Sequence, residues 1–192
     1  MLYPVIFWPG SFGSVVCHFI NMHDNYYSIS PVFTLTKDNN IARQMDGPLH
    51  ITDNNDDLYI NEVVKLSDKE TNELKKYNMA VKVFPRHDDL IKQSNAIAVI
   101  PNIVELESRI NSNTLNKERK IPTKNEITDW LHKVKELNYY QLPIDDFWSW
   151  ADITDCKYTE TYLDFCKFLN TVPRPTVGTD ISRIKYFVKD NT

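Results

Sequence analysis

The apolar positions of this chain fall into two patterns that alternate along its length. Leu2–Trp8 (LYPVIFW), Met79–Phe84 (MAVKVF) and Asn95–Ile100 (NAIAVI) are short, continuous apolar runs, each closed by a proline. A run of that length without polar alternation suits a strand buried on both faces of a parallel sheet. Between these runs the apolar residues fall at helical spacing. Val15, Val16, Phe19 and Ile20 predict a helix starting near Ser14. Ile103, Leu106, Glu107 and Ile110 share one helical face, and so do Ile127, Trp130, Leu131 and Val134. Tyr162, Phe165, Cys166 and Leu169 predict a helix near Thr159–Asn170. Two capping boxes mark helix starts: Ser67 with Glu70 for Ser67–Tyr77, and Thr123 with Glu126 for a helix through Leu137. Ser30–Thr36 and Tyr139–Ile144 read as further strands, and Lys37–Leu58, rich in Asn, Asp and Gly, as an irregular excursion.

Strands alternating with helices predict one α/β domain over residues 1–192, a three-layer sandwich with a mainly parallel central sheet. Right-handed crossovers place the loops that follow the strands along one edge, where ligands of such sheets bind. The loops of interest are therefore Pro9–Ser14, Pro85–Asp89 and Pro101–Val104.

Composition narrows the function classes. The formal charge is −4, from 22 basic and 26 acidic residues, which argues against a dedicated nucleic-acid partner. No apolar stretch is long enough for a membrane span, and the start lacks a basic leader region, so the expected location is the cytoplasm. Three cysteines without CxxC spacing fit a reducing compartment, and no His/Cys pattern suggests a metal. Asn occurs 18 times and Ile 17 times against five Ala and four Gly, the codon signature of an AT-rich genome. A viral origin would fit that usage and make the location host cytoplasm.

The strongest local signal is Trp8-Pro-Gly-Ser-Phe-Gly-Ser14, a glycine–serine loop between the first buried strand and its helix. Backbone N–H groups at a helix start attract an anion, and glycine lets the backbone approach it. The candidate binding residues are Gly10, Ser11, Phe12, Gly13, Ser14 and Val15. It is not a Walker A loop, because GxxxxGK[ST] is absent, which demotes an ATPase or GTPase. A turn that merely joins strand to helix accounts for it equally well. His87, in Phe-Pro-Arg-His-Asp-Asp just past a strand, is a candidate base that Asp88 or Asp89 would orient, set against a solvated loop histidine. Trp148 and Trp150, in Asp145–Asp152, are read as a core edge or interface ahead of a stacking wall.

The stretch Ile6–Ile20 (IFWPGSFGSVVCHFI) resembles the first strand, 5′-phosphosulfate loop and first helix of the sulfotransferase family. Pro9, Ser11 and Ser14 match that family's Pro-Lys-Ser-Gly-Thr-Thr loop in type and order, while Gly10 stands where the family has its lysine. Val81–Pro85 (VKVFP) resembles the Lys-Thr-His-Leu-Pro strand end, and His87 takes the base role only in a shifted loop register. Ile97–Arg109 resembles the strand and helix that hold the 3′-phosphate; Ser108 fits the serine, with Arg109 beside it, while the arginine position falls on Ile100. Tyr162–Leu169 resembles the late helix, and Arg174–Phe187 loosely echoes the closing Gly-x-x-Gly-Asp-Trp-Lys segment.

The resemblance implies a P-loop NTPase-like, sulfotransferase-like fold with 3′-phosphoadenosine 5′-phosphosulfate as cofactor. Its implied chemistry is sulfuryl transfer to a small-molecule or carbohydrate hydroxyl. The missing lysine and arginine motivate the alternative, a non-catalytic domain of the same fold used for assembly or recognition. Neither reading fixes an oligomeric state.

Overall fold

A computed structural model describes residues 1–8, 11–26, 33–35, 41–43, 50–51, 58–60, 64–65, 67–69, 72, 76–83, 95–111 and 123–189. The strands are β1 (Leu2–Ile6), β2 (Phe33–Leu35), β3 (Ile41–Arg43), β4 (His50–Ile51), β5 (Leu58–Ile60), β6 (Val64–Lys65), β7 (Met79–Val83), β8 (Ile97–Ile100) and β9 (Tyr140–Pro143). The helices are α1 (Gly13–Asn21), α2 (Ile103–Asn111), α3 (Lys124–Glu136), α4 (Ile144–Ser149), α5 (Glu160–Phe168) and α6 (Val177–Lys189), with a 3-10 turn over Trp150–Asp152.

Seven strands form one sheet in the order β6-β5-β4-β7-β1-β8-β9. The four strands β7, β1, β8 and β9 are parallel, β4 runs parallel to β7, and β5 and β6 are antiparallel additions. β2 and β3 form a separate antiparallel pair. The α/β architecture with a parallel centre is thus present. Within the expected irregular excursion, β3 and β4 are strands of three and two residues, too short to leave a periodic trace.

Helices cover both faces of the sheet because its centre is apolar on both. Tyr3, Val5 and Phe7 of the first strand segment join α1, α4, α5 and α6 in one core. Ile6 and Trp8 join Trp130 and Val134 of α3 in the other. The same alternation runs through the next strand, with Ile97 and Val99 on the α1 side and Ala96 and Ala98 on the α3 side.

Local chemistry sets the helix ends. The Thr123–Glu126 capping box forms, the Thr123 Oγ1 accepting from Glu126 N at 3.2 Å and the Glu126 carboxylate accepting from Thr123 N at 2.7 Å. For the other expected box, Ser67, Asp68, Lys69 and Asn72 are described and Glu70 lies outside the described residues. The first helix starts at Gly13, one residue before the expected position, and the last strand ends at Pro143 because Ile144 opens α4.

Candidate functional site

The strand order creates one crevice. From β1 the chain passes through α1 and continues on the β7 side, whereas β8 pairs on the opposite flank of β1 and leads on to β9. The loops after β1 and β8 therefore diverge at the carboxyl edge, the kind of switch point where ligands of open α/β sheets bind. A small hollow of about 10 Å³ lies there, lined by Ser11, Phe12, Pro101, Asn102, Glu105, Leu106 and Ile144. That is room for about one water molecule, so a larger ligand would have to sit across the open edge.

The bend before α1 is tightly organised. Ser11 is buried, and both its N–H and its hydroxyl donate to the Trp8 carbonyl, at 3.0 and 2.6 Å. Phe12 is the N-cap and adopts the left-handed conformation, φ 62° and ψ 18°, which costs a non-glycine residue about 1–2 kcal/mol. Its ring meets Trp148 edge-on at 5.1 Å, and that contact holds the strained turn. The N–H groups of Val15 and Val16 both bond the Phe12 carbonyl, at 2.9 and 3.1 Å. Among the described residues, the N–H groups of Gly13 and Ser14 have no protein acceptor. Those two donors at the start of a nine-residue helix are what the bend offers to an anion.

Gly13 has a packing reason as well. A Cβ there would sit 1.9 Å from the Phe7 ring, so α1 approaches the end of β1 only because residue 13 has no side chain. The sequence signal of a glycine at a helix start therefore reports helix–strand packing in addition to any ligand.

Asn102 and Glu105 line the hollow, and Asn102 links the α2 start to α4, donating to Asp145 Oδ2 at 3.0 Å while accepting from Glu105 N at 3.1 Å. On the α1 face of the sheet, Ala80 and Lys82 of β7 lie beneath the helix. Asn21 clamps Ala80, donating to its carbonyl at 3.1 Å and accepting its N–H at 2.7 Å. Lys82 is buried, and its charge partly offsets the burial that pushes the Cys17 thiol up to about 12.

The structure brings Ser11, Phe12, Gly13, Ser14 and Val15 together at the bend, while Gly10 lies outside the described residues. Ser108 is exposed on α2, about 8 Å along the axis from that helix's first residue, and does not line the hollow. Arg109 belongs to the same helix, and its side chain lies outside the description. His87 also lies outside the described residues. Trp148 and Trp150 are core residues, at 4% and 0% exposure, so neither forms an open stacking wall. Asn102 lies in the Pro101–Val104 loop that the strand pattern singles out, and Glu105, just inside α2, joins it at the hollow.

Among the described residues no cluster of three or more His, Cys, Asp or Glu could hold a metal, and no helix is long and apolar enough to cross a membrane. Comparison with known proteins gives no counterpart: no family model, curated protein or solved structure matches this chain.

Proposed function

We propose that the carboxyl edge between β1 and β8 binds an anionic group at the start of α1, as the 5′ side of 3′-phosphoadenosine 5′-phosphosulfate, for sulfuryl transfer to a hydroxyl. The observation that carries this reading is the pair of Gly13 and Ser14 N–H groups, without a protein acceptor among the described residues, beside the switch point of a parallel sheet. In this reading Ser14 adds a hydroxyl donor, and Lys82, buried under α1, adds positive charge. Ser11 shapes the turn through Trp8 instead of meeting the ligand. Sulfuryl transfer, like phosphoryl transfer, depends chiefly on positioning and on charge placed at the transferring oxygens.

Titration calorimetry with 3′-phosphoadenosine 5′-phosphate tests the reading. The wild type should give a saturable heat. Ser14→Asp should weaken binding about tenfold or more, since ~1.4 kcal/mol of repulsion is one decade. The same carboxylate near a helix start favours the fold, so lost binding would not be lost structure. A wild type without measurable affinity overturns the proposal.

The second reading, a non-catalytic domain used for assembly or recognition, draws on the small size of the hollow and on the packing role of Gly13. It is favoured if the nucleotide fails to bind while the folded protein forms a stable complex.

A further inference from the structure

His23 closes a buried chain of hydrogen bonds that ties three segments together. It stands just past the end of α1, 1% exposed. Its Nδ1 lies 3.2 Å from the Phe19 carbonyl and 3.1 Å from the Ile20 carbonyl. Carbonyls only accept, so Nδ1 carries the proton and Nε2 of the neutral ring is an acceptor. The group facing Nε2 is the Tyr162 hydroxyl of α5, at 3.5 Å. That hydroxyl accepts the Arg174 N–H at 3.0 Å and also bonds the Cys166 thiol one turn along α5. Arg174 extends the chain: its guanidinium donates to the Met22 carbonyl and, at 3.2 Å, to Asp180 Oδ2 of α6. Asp180 also accepts from Thr176 Oγ1 at 2.7 Å.

We infer that His23 is an acid-operated latch between α1 and the α5–α6 layer, closed while its ring is neutral and released when Nε2 takes a proton. The protonated ring has two donors. Its Nε2–H then confronts the Tyr162 hydroxyl, an oxygen that already accepts the Arg174 N–H. The new charge also stands near Arg174 in a low-dielectric setting. The charged and titratable groups that face this cluster are Asp24 beside it in sequence, Tyr26 with its ring 6.3 Å away, Arg174 and Asp180 from the α6 side, and Tyr162 with Cys166 behind it on α5. Asp24 favours the proton and Arg174 opposes it, with burial the largest influence, and together they hold the His23 pKa below its ordinary 6.5. The unfolded chain therefore takes up the proton first. Stability from neutral His23 is complete above pH 6.5 and is lost as the pH falls below it.

The measurement is urea unfolding of the full chain between pH 7.5 and 5, together with ¹⁵N chemical shifts of the histidine rings. One proton steepens the unfolding equilibrium by at most about tenfold per pH unit. His18, also lowered by burial, has its own slope, so His18→Gln is the control. The wild type and His18→Gln should lose stability on acidification, and His23→Gln should lose much less. Tyr162→Phe removes the hydroxyl that faces Nε2 and anchors the Arg174 N–H, and should move the acid transition to higher pH. The ring shifts should show His23 protonated on Nδ1 alone at pH 7.5. An equal slope in the wild type and His23→Gln overturns the latch. So does a His23 ring that titrates in the folded protein while the α5 and α6 signals stay unchanged, a readout that needs no variant to fold.

Discussion

Gly178, the second residue of α6, is where the structure makes its sharpest stability prediction. A helix glycine in open space gains about 1 kcal/mol when replaced by alanine. Here the added Cβ would lie 2.0 Å from the Ile153 carbonyl oxygen, 3.1 Å from that carbonyl's carbon and 3.2 Å from the Ala151 carbonyl oxygen. These neighbours are backbone, at the end of the 3-10 turn that α6 packs against. To regain the 3.4 Å of an ordinary contact, the helix and the turn must part by about 1.4 Å. That separation would open the packing of Trp150, Val177 and Ile181, all fully buried in one core. Overpacking of this kind costs ~1–3 kcal/mol and occasionally more. The helix-propensity gain offsets part of it, leaving Gly178→Ala destabilised by about 2 kcal/mol. In a chain of 192 residues that lowers Tm by roughly 4–8 °C, at ~2–4 °C per kcal/mol. Urea unfolding followed by tryptophan fluorescence gives the free energy directly. Thr179→Ala, exposed on the same helix, is the control and should be neutral or slightly stabilising. A Gly178→Ala protein as stable as the wild type, or more so, would refute the close approach and the packing argument with it.

Three further outcomes follow from contacts described above. Gly13→Ala should cost about 1–3 kcal/mol through the Phe7 ring, and Phe7→Leu should recover part of it, seen as non-additivity in a double-mutant cycle by denaturant unfolding. Asn21→Ala leaves the Ala80 N–H and carbonyl without their side-chain partners and should cost ~1–3 kcal/mol in the same assay. All three cysteines are free; in a thiol–disulfide exchange assay with a chromogenic disulfide, exposed Cys156 should react at once, and buried Cys17 and Cys166 only after unfolding.

The opening strand and helix, the two inner strands and the Thr123 cap were legible because each is written in a few neighbouring residues. Leu2–Ile6, Met79–Val83 and Ile97–Ile100 all lie within the apolar runs. The helix over Val177–Lys189 was legible in principle. Val177, Ile181, Ile184 and Val188 recur at helical spacing, but Pro173, Pro175 and Gly178 punctuate its start, and the comparison with a closing loop segment drew the reading elsewhere. The segment Ile144–Asp152 hid its helical turns because Phe147, Trp148 and Trp150 are all buried, which erases any one-sided pattern. The crevice was legible only in part. The loops before α1 and α2 are marked by their prolines, whereas Glu105, just inside α2, meets the crevice only through strand order, which no local pattern encodes. Gly13 invited a ligand explanation from sequence, and its contact with Phe7 could not be seen until helix and strand were placed.

The Asn21 amide has a consequence for the outline of the sheet. By mimicking a backbone pair opposite Ala80, it occupies the flank of β7 that a neighbouring strand would use, and the described pairing of β4 with β7 is the single rung His50–Lys82 farther along. A side chain thus acts as a stopper in the ladder. On this flank β4 joins β7 only at Lys82, so the amide of a helix residue takes over the backbone partners that a longer strand would otherwise have to supply to Ala80.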